Sequence, residues 1–274
     1  MSLPVDLDAV GALIRTVARE EMLPRFRRLE DHEIQQKGPG DLVTVVDKAV
    51  EARLTAALTD WIPESTTVGE EAVAANPATL DRLRSDAWIW IIDPLDGTRN
   101  FAAGREEFAS IVALARGGVT VAGWIYLPVP DRLAVVEKGA GAFENGAPMR
   151  VGPGGSLSGF AGAFTRPRGT SPRAKAIGRL AAALDQDRRI TCSGVEYIKL
   201  ANDEALDLMM PHSLHPWDHA AGVLMHQEAG GVHGLIRGGG RYSPRERRGP
   251  LLLTPDRDSW REAIDVMGPD IFLF

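Results

Sequence analysis

Two aspartates, Asp93 and Asp96, stand at the end of a continuous apolar run and are followed at once by Gly97 and Thr98. The run over residues 88–92 is short, β-branched and aromatic, which favours a buried strand. Two carboxylates at a strand end repel each other unless a cation lies between them, and hard cations such as Mg²⁺ prefer oxygen ligands. The amides of Gly97 and Thr98 can point at an anion if they open a helix. The pattern predicts metal-assisted phosphate chemistry, with a solvated turn as the alternative for these residues taken alone.

Three further carboxylates occupy similar positions, each at a boundary between predicted elements. Asp47 leads a predicted helix, Glu70 follows a predicted strand end at Gly69, and Asp218 opens an apolar helix. Helix capping explains Asp47 or Asp218 singly, and Glu70 can belong to a solvated acidic pair with Glu71. A metal cluster explains all the carboxylates together more economically, because it accounts for charged groups within apolar flanks.

The spacing of the two aspartates argues against a phospho-enzyme. Phosphatases of the haloacid dehalogenase type use an Asp-x-Asp-Gly-Thr motif whose first Asp is the nucleophile. Here the residue two positions before Asp96 is Pro94, which cannot attack phosphorus. We therefore expect the nucleophile to be a water molecule activated by a metal.

Periodicity predicts the elements that carry these carboxylates. Apolar residues recur at helical spacing over residues 5–29 and 47–58, and the second helix must end before Pro63 because proline cannot continue it. Residues 108–151 alternate in polarity and predict an antiparallel meander, with a hairpin turn at Asn145-Gly146. A loop is expected at residues 38–40.

The second half of the chain predicts an α/β arrangement. A Gly/Ser/Pro cluster over residues 152–159 predicts a boundary between an N-terminal metal-binding α+β half, residues 1–151, and a C-terminal α/β half, residues 152–274. The expected helices of the second half lie near residues 174–184, 195–201 and 220–229. Its expected strands lie near residues 189–191, 231–236 and 251–254.

Composition narrows the class of protein and its partners. The 274 residues are 44% apolar, enough for one large domain or two closely packed ones. The net charge of −6, from 31 basic and 37 acidic residues, argues against nucleic-acid and membrane partners. Cys192 is the single cysteine, so no internal disulfide is expected. Without a long apolar run or a signal-peptide pattern, we expect a cytoplasmic protein.

An arginine-rich segment, residues 237–248, is the exception to this acidic balance. We expect it to be a solvated surface loop. The alternative is a contact with another subunit or with an anionic ligand.

Several motifs span most of the chain. They are Asp41-Leu42-Val43-Thr44 with Asp47, Gly69-Glu70-Glu71, Asp93-Pro94-Leu95-Asp96-Gly97-Thr98-Arg99-Asn100-Phe101, Gly139-x-Gly141-Ala142-Phe143-x-Asn145-Gly146, Pro216-Trp217-Asp218 with Ala220-Ala221-Gly222, and Glu228-Ala229-Gly230-Gly231. Together they resemble the inositol monophosphatase family of Mg²⁺-dependent, often lithium-sensitive phosphatases. The resemblance implies a layered αβαβα sandwich, in which an antiparallel-sheet N-terminal half packs against the α/β C-terminal half. It also implies a homodimer.

The resemblance assigns the metal ligands. Glu70, Asp93 and the carbonyl of Leu95 would hold one Mg²⁺ ion. Asp93, Asp96 and Asp218 would hold a second, and Glu70 would bind a third, weaker ion through water.

The resemblance also assigns the catalytic and phosphate-binding groups. Thr98, hydrogen-bonded to Asp47, would orient the attacking water together with Glu70. The amides of Gly97 and Thr98 would bind the phosphate of a small phosphorylated substrate, and Asp218 would contact the substrate as well. In-line attack would release an alcohol and inorganic phosphate.

One departure from the family concerns the alcohol part of the substrate. Members that act on inositol phosphate usually carry a Glu seven residues before the last metal Asp, and this position is Pro211 here. Other residues near that pocket in the family could substitute for it. They are Ser193, Gly194, Glu196, His212 and Ser213.

The expected activity is therefore hydrolysis of a small polyol, sugar or inositol phosphate. The alternatives are a histidinol-phosphate phosphatase, a nucleotide 3′-phosphatase of the same superfamily, and an interaction or regulatory protein with residual phosphatase activity. Asn100-Phe101 resembles the inositol and sugar-phosphate members more than the nucleotide 3′-phosphatases.

Overall fold

The computed structural model describes residues 3–38, 41–211 and 213–272 of the chain, with a mixed α/β fold. The α-helices in these ranges are α1 (Leu7–Glu21), α2 (Val45–Trp61), α3 (Glu70–Ala75), α4 (Thr98–Ala102), α5 (Pro172–Ala183), α6 (Ser193–Ala201), α7 (Pro216–Glu228) and α8 (Arg257–Met267). None of them is both long enough and apolar enough to cross a bilayer. The predicted loop residues Pro39 and Gly40 and the candidate substrate residue His212 lie outside the described residues.

The strands of the described residues form three sheets. A hairpin contains β1 (Ile34–Gly38) and β2 (Asp41–Thr44). A seven-stranded sheet, in chain order, contains β3 (Thr66–Gly69), β4 (Trp88–Asp96), β5 (Ala109–Arg116), β6 (Val119–Leu127), β7 (Arg132–Glu137), β8 (Gly141–Glu144) and β9 (Ala147–Pro148). A five-stranded sheet, of spatial order β11-β10-β12-β14-β13, contains β10 (Ala161–Phe164), β11 (Gln186–Asp187), β12 (Leu208–Met210), β13 (Val232–Leu235) and β14 (Leu251–Thr254).

The seven-stranded sheet contains the predicted antiparallel meander, β5 to β9. The predicted turn is present between β8 and β9, where Asn145 and Gly146 have φ angles of 45° and 83°, as a two-residue hairpin turn requires. β3 departs from the antiparallel pattern because it pairs parallel to β4, with Gly69 opposite Ile92. The carboxyl ends of β3 and β4 therefore reach the same edge of the sheet.

Three buried apolar clusters hold the layers together. Helices α1 and α2 pack on one face of the seven-stranded sheet. Helices α6 and α7 fill the space between that sheet and the five-stranded sheet. Helices α5 and α8 cover the outer face of the five-stranded sheet. The five layers form the αβαβα sandwich that the resemblance implies, and the fold class is confirmed.

Several sequence-based boundaries need correction. Helix α1 ends at Glu21 rather than near residue 29, and the following turns include Arg27 at a φ of 60°. Helix α7 begins at Pro216 rather than at residue 220, because proline suits the first position of a helix. The strand expected at residues 189–191 lies at Gln186–Asp187 instead. The boundary near residue 152 stays a prediction.

Candidate active site

Four carboxylates from three segments of the chain line one pocket of about 190 Å³. Glu70 is the first residue of α3, directly after β3, and its neighbour Asp93 lies on the parallel strand β4. Asp96 ends β4, and Asp218 lies in the first turn of α7. Leu95, Gly97 and Thr98 complete the predicted set in the lining of this pocket, which also includes Leu42, Arg99 and Thr191.

The electrostatic environment of Asp93 is strongly perturbed. Its residue is only 2% exposed, and burial raises the pKa of its carboxyl well above the usual range. The charges of Glu70, Asp96 and Asp218, and a hydrogen bond with Asp218, raise the pKa further. Among the described residues, no three acidic, His or Cys side chains are arranged as ligands around a common point. The four carboxylates nevertheless line the same pocket. Their charges repel one another, and a bound cation would relieve that repulsion.

Asp96 is held by the start of α6. Its Oδ2 accepts hydrogen bonds from the Gly194 amide at 2.6 Å and from the Cys192 thiol at 3.1 Å. Burial raises the pKa of Asp96, and these two bonds, with the amides of Ser193 and Gly97, oppose that rise. Gly194 therefore contacts a predicted metal ligand. It lines neither this pocket nor the cavity next to it.

Thr98 and Asp47 are joined as the resemblance implies. The Thr98 hydroxyl lies 3.1 Å from Asp47 Oδ1 and 2.9 Å from the Leu95 carbonyl. Asp47 is not the cap of α2. Thr44 is the N-cap, and Asp47 Oδ2 accepts its amide and its hydroxyl, both at 2.7 Å, in a capping box. Burial raises the pKa of Asp47 to about 6, although the bonds from Thr44 oppose the rise.

Gly97 has the backbone that this turn requires. Its φ is +84°, and a Cβ there would lie 2.8 Å from the Glu107 carbonyl. Only glycine adopts this conformation without strain.

Glu51 is a residue of the site that the sequence analysis missed. Its carboxylate accepts the amides of Glu71 and Ala72, each at 2.8 Å, and so caps the start of α3, where Glu70 lies. A Cβ on Gly69 would lie 2.3 Å from the Glu51 carboxyl carbon, so the close approach needs glycine. The available signal was the position of Glu51 on the buried face of α2, one turn after Asp47.

A second cavity, of about 390 Å³, adjoins the carboxylate pocket, and we call it the alcohol cavity. The two share Asp96, Arg99, Thr191 and Asp218 in their linings. The sequence-predicted residues in the lining of the alcohol cavity are Asp96, Ser193, Glu196, Ser213 and Asp218, and Pro211 also lies in this lining. Arg189 also borders it, and nothing in its local sequence indicated this.

Glu196 faces the alcohol cavity, but its Oε1 already accepts two backbone hydrogen bonds. It accepts the amides of Ile190 at 2.7 Å and Thr191 at 3.1 Å. Thr191 has a φ of 65°, which is rare for a β-branched residue. Burial raises the pKa of Glu196 to about 7. Glu196 therefore holds a strained residue at the junction of the two cavities.

His219, one residue after Asp218, is fixed in one neutral form. Its Nε2 donates to the Ser213 carbonyl at 2.8 Å, so its Nδ1 accepts from the Tyr197 hydroxyl at 3.0 Å. Burial lowers the pKa of His219 to about 4. The start of α7 is thereby tied to α6 and to the wall of the alcohol cavity.

Comparison with known proteins identifies the family of the chain. The model of the inositol monophosphatase family matches residues 6–254. A fructose-1,6-bisphosphatase/inositol-1-monophosphatase of Aquifex aeolicus is 32% identical over 215 residues, covering 77% of this chain and 78% of the relative. The Nus factor SuhB of Vibrio cholerae is 33% identical over 211 residues, covering 76% of each chain. The Thermotoga maritima IMPase structure shares the fold, with a TM-score of 0.78 and 23% identity over 97% of each chain. The chain therefore belongs to the inositol monophosphatase family of phosphoric monoester hydrolases.

Proposed function

We propose that this phosphatase depends on Mg²⁺ and hydrolyses a small polyol, sugar or inositol phosphate by attack of water. The observation that carries the proposal is the convergence of Glu70, Asp93, Asp96 and Asp218 on one pocket. Asp93 is buried and the other three are half-buried, and carboxylates are rarely withdrawn from water next to one another unless a partner compensates them.

The donor set fits Mg²⁺. Carboxylate oxygens and the Leu95 carbonyl are hard ligands. The nearby Cys192 is not a competing soft ligand, because burial holds the pKa of its thiol well above the usual value and the thiol donates to Asp96. Occupancy by two or three ions stays a prediction.

The chain's own residues have separate tasks in this proposal. When bound, Mg²⁺ would lower the pKa of a water molecule and neutralise charge on the phosphoryl group. Glu70 and Thr98 would orient the attacking water, with the Thr98 hydroxyl donating a hydrogen bond to Asp47. The amides of Gly97 and Thr98 would hold the phosphate. Asp218, which borders both cavities, would also contact the alcohol part.

The alcohol cavity supports a hydroxyl-rich substrate that can carry further negative charge. Ser193, Ser213 and Thr191 offer hydroxyls, while Arg99 and Arg189 offer positive charge. Pro211 offers no side-chain acceptor where inositol-specific members carry Glu, so we do not restrict the substrate to inositol phosphate.

A panel of phosphate esters tests the proposal, with released inorganic phosphate measured with and without Mg²⁺. The panel contains inositol monophosphate, sugar mono- and bisphosphates, histidinol phosphate and adenosine 3′,5′-bisphosphate. We expect Mg²⁺-dependent release from a polyol or sugar ester. Asp93→Asn should lower kcat by at least about 10³-fold, since it removes a charge shared by two proposed metal positions.

The folded state of the Asp93→Asn variant is checked by circular dichroism, which should match that of the parent. Unchanged turnover in this variant would contradict the metal mechanism. Selective hydrolysis of histidinol phosphate or of the nucleotide would favour the corresponding alternative. No hydrolysis of any ester, with recovery of a polymerase or RNA in a pull-down, would favour the regulatory role. The proposed homodimer is tested by light scattering.

A further inference from the structure

A third cavity, of about 570 Å³, lies beside the alcohol cavity, and we call it the arginine cavity. Four arginines border it, and no acidic residue is among its lining residues. They are Arg173, Arg237, Arg247 and Arg248. Ser213 lines both this cavity and the alcohol cavity, and its backbone bridges to that of Arg248. The arginine cavity therefore has a fixed wall in common with the proposed active site.

Three of these arginines lie in the basic segment 237–248 and are exposed. No ion pair or side-chain hydrogen bond between described residues involves Arg237, Arg247 or Arg248 in the structure. Arg245, in the same segment, differs because it donates to the carbonyls of Leu83, Arg84 and Ser85. One arginine thus anchors the segment, while three others surround a cavity without an anionic partner.

Arg173 adds charge at an unfavourable place. It lies in the first turn of α5, which contains no acidic residue. The start of a helix carries partial positive charge, so an arginine there is normally disfavoured. Burial of this half-buried side chain also lowers the pKa of Arg173. The positive charge of Arg173 therefore opposes the preference of a helix start for negative charge. Such departures from local preference are typical of functional positions.

The size and charge of the cavity indicate the ligand. A volume of about 570 Å³ is in the range of small-molecule sites and exceeds the need of a single ion. Each phosphate monoester carries about −1.5 to −2 at neutral pH, so the three arginines of the basic segment match the charge of about two phosphates. We propose that the arginine cavity binds a small molecule with two phosphate groups, independently of the carboxylate pocket.

Calorimetric titration with inorganic pyrophosphate tests the proposal in buffer without divalent cations, where the carboxylate pocket repels anions. We expect one pyrophosphate bound per chain, at least tenfold more tightly than inorganic phosphate. The double variant Arg237→Gln/Arg247→Gln should weaken binding at least tenfold. Its melting temperature without ligand should stay the same or rise, because these side chains have no partner to lose.

Two control variants separate this site from others. Arg241→Gln removes an exposed arginine of the same segment that borders a different cavity, so it should change affinity less than twofold. Asp93→Asn should leave affinity unchanged. The proposal is overturned if pyrophosphate does not bind, if the double variant binds it normally, if phosphate binds equally well, or if Asp93→Asn abolishes binding. Activity on the ester panel is independent of this outcome.

Discussion

At Thr98, one hydroxyl proton faces two acceptors. The oxygen lies within hydrogen-bond distance of both Asp47 Oδ1 and the Leu95 carbonyl, and a hydroxyl can donate to only one of them at a time. A cation held by the Leu95 carbonyl would leave Asp47 as the acceptor. The lone pairs of Thr98 would then face the pocket, where they can accept a hydrogen bond from the attacking water.

Replacing this hydroxyl gives the first residue-scale prediction. Thr98→Val keeps the shape of the side chain but removes its donor and acceptor, and we expect kcat to fall by about 10²–10³-fold. Thr98→Ser is the matched control, and it should retain most of the activity. KM should change much less than kcat in steady-state assays. Equal kcat for the Val and Ser variants would show that the hydroxyl takes no part in the reaction.

At the scale of elements, Glu70 depends on a contact between two helices. Glu51 on α2 caps the start of α3, and Gly69 leaves room for its carboxylate. A half-buried helix start whose amides lose their acceptor is costly, because these amides have no partner within the helix. The position of one proposed metal ligand is therefore set from the neighbouring layer.

Gly69→Ala tests this dependence. The added methyl group would lie within 2.5 Å of the Glu51 carboxylate, so the cap must move. We expect the free energy of unfolding to fall by about 1–3 kcal/mol and Mg²⁺-dependent activity to fall with it. Gly178→Ala is the matched control, because a Cβ there meets nothing within 4 Å inside α5. It should stabilise the protein by about 0.5–1 kcal/mol in urea unfolding. Equal effects of both variants would contradict the capping role.

The elements with strong local signals were predictable from the sequence. The tip of β4 and the meander follow from a β-rich apolar run, alternation and an Asn-Gly turn. Strands β10 and β12 were missed because three or four residues show no clear period. The strand expected around Ile190 was wrong because Glu196, a residue on α6, binds that segment as a loop. Local patterns hold no information about such tertiary contacts.

At the scale of the whole molecule, the buried carboxyl of Glu196 lowers the free energy of unfolding at neutral pH. Glu196 is buried between α6 and the alcohol cavity, and burial raises its pKa from the usual 4.5 to about 7. The folded protein thus holds this proton more tightly than the unfolded chain does. The protonated carboxyl makes its full contribution to the free energy of unfolding below about pH 4.5. This contribution is lost as the pH rises to about 7.

Glu196→Gln should remove this loss. The amide oxygen can still accept the amides of Ile190 and Thr191, while the titrating charge is gone. Above pH 7 we expect the variant to exceed the parent in free energy of unfolding by roughly 1–3 kcal/mol, since one pKa unit is worth about 1.4 kcal/mol. Near pH 4 the difference should vanish. Urea unfolding from pH 4 to 8 measures it, and parallel profiles for the two proteins would refute the role of this charge.

The hydrogen bonds from the start of α6 to Asp96 have a consequence for the chain as a whole. Glu70, Asp93 and Asp96 come before residue 152, whereas Asp218 and the groups that hold Asp96 come after it. A polypeptide cut between these parts leaves neither piece with a full ligand set. Phosphate release from such a split chain would report reassembly, so hydrolysis itself can serve as the readout of a fragment-complementation screen.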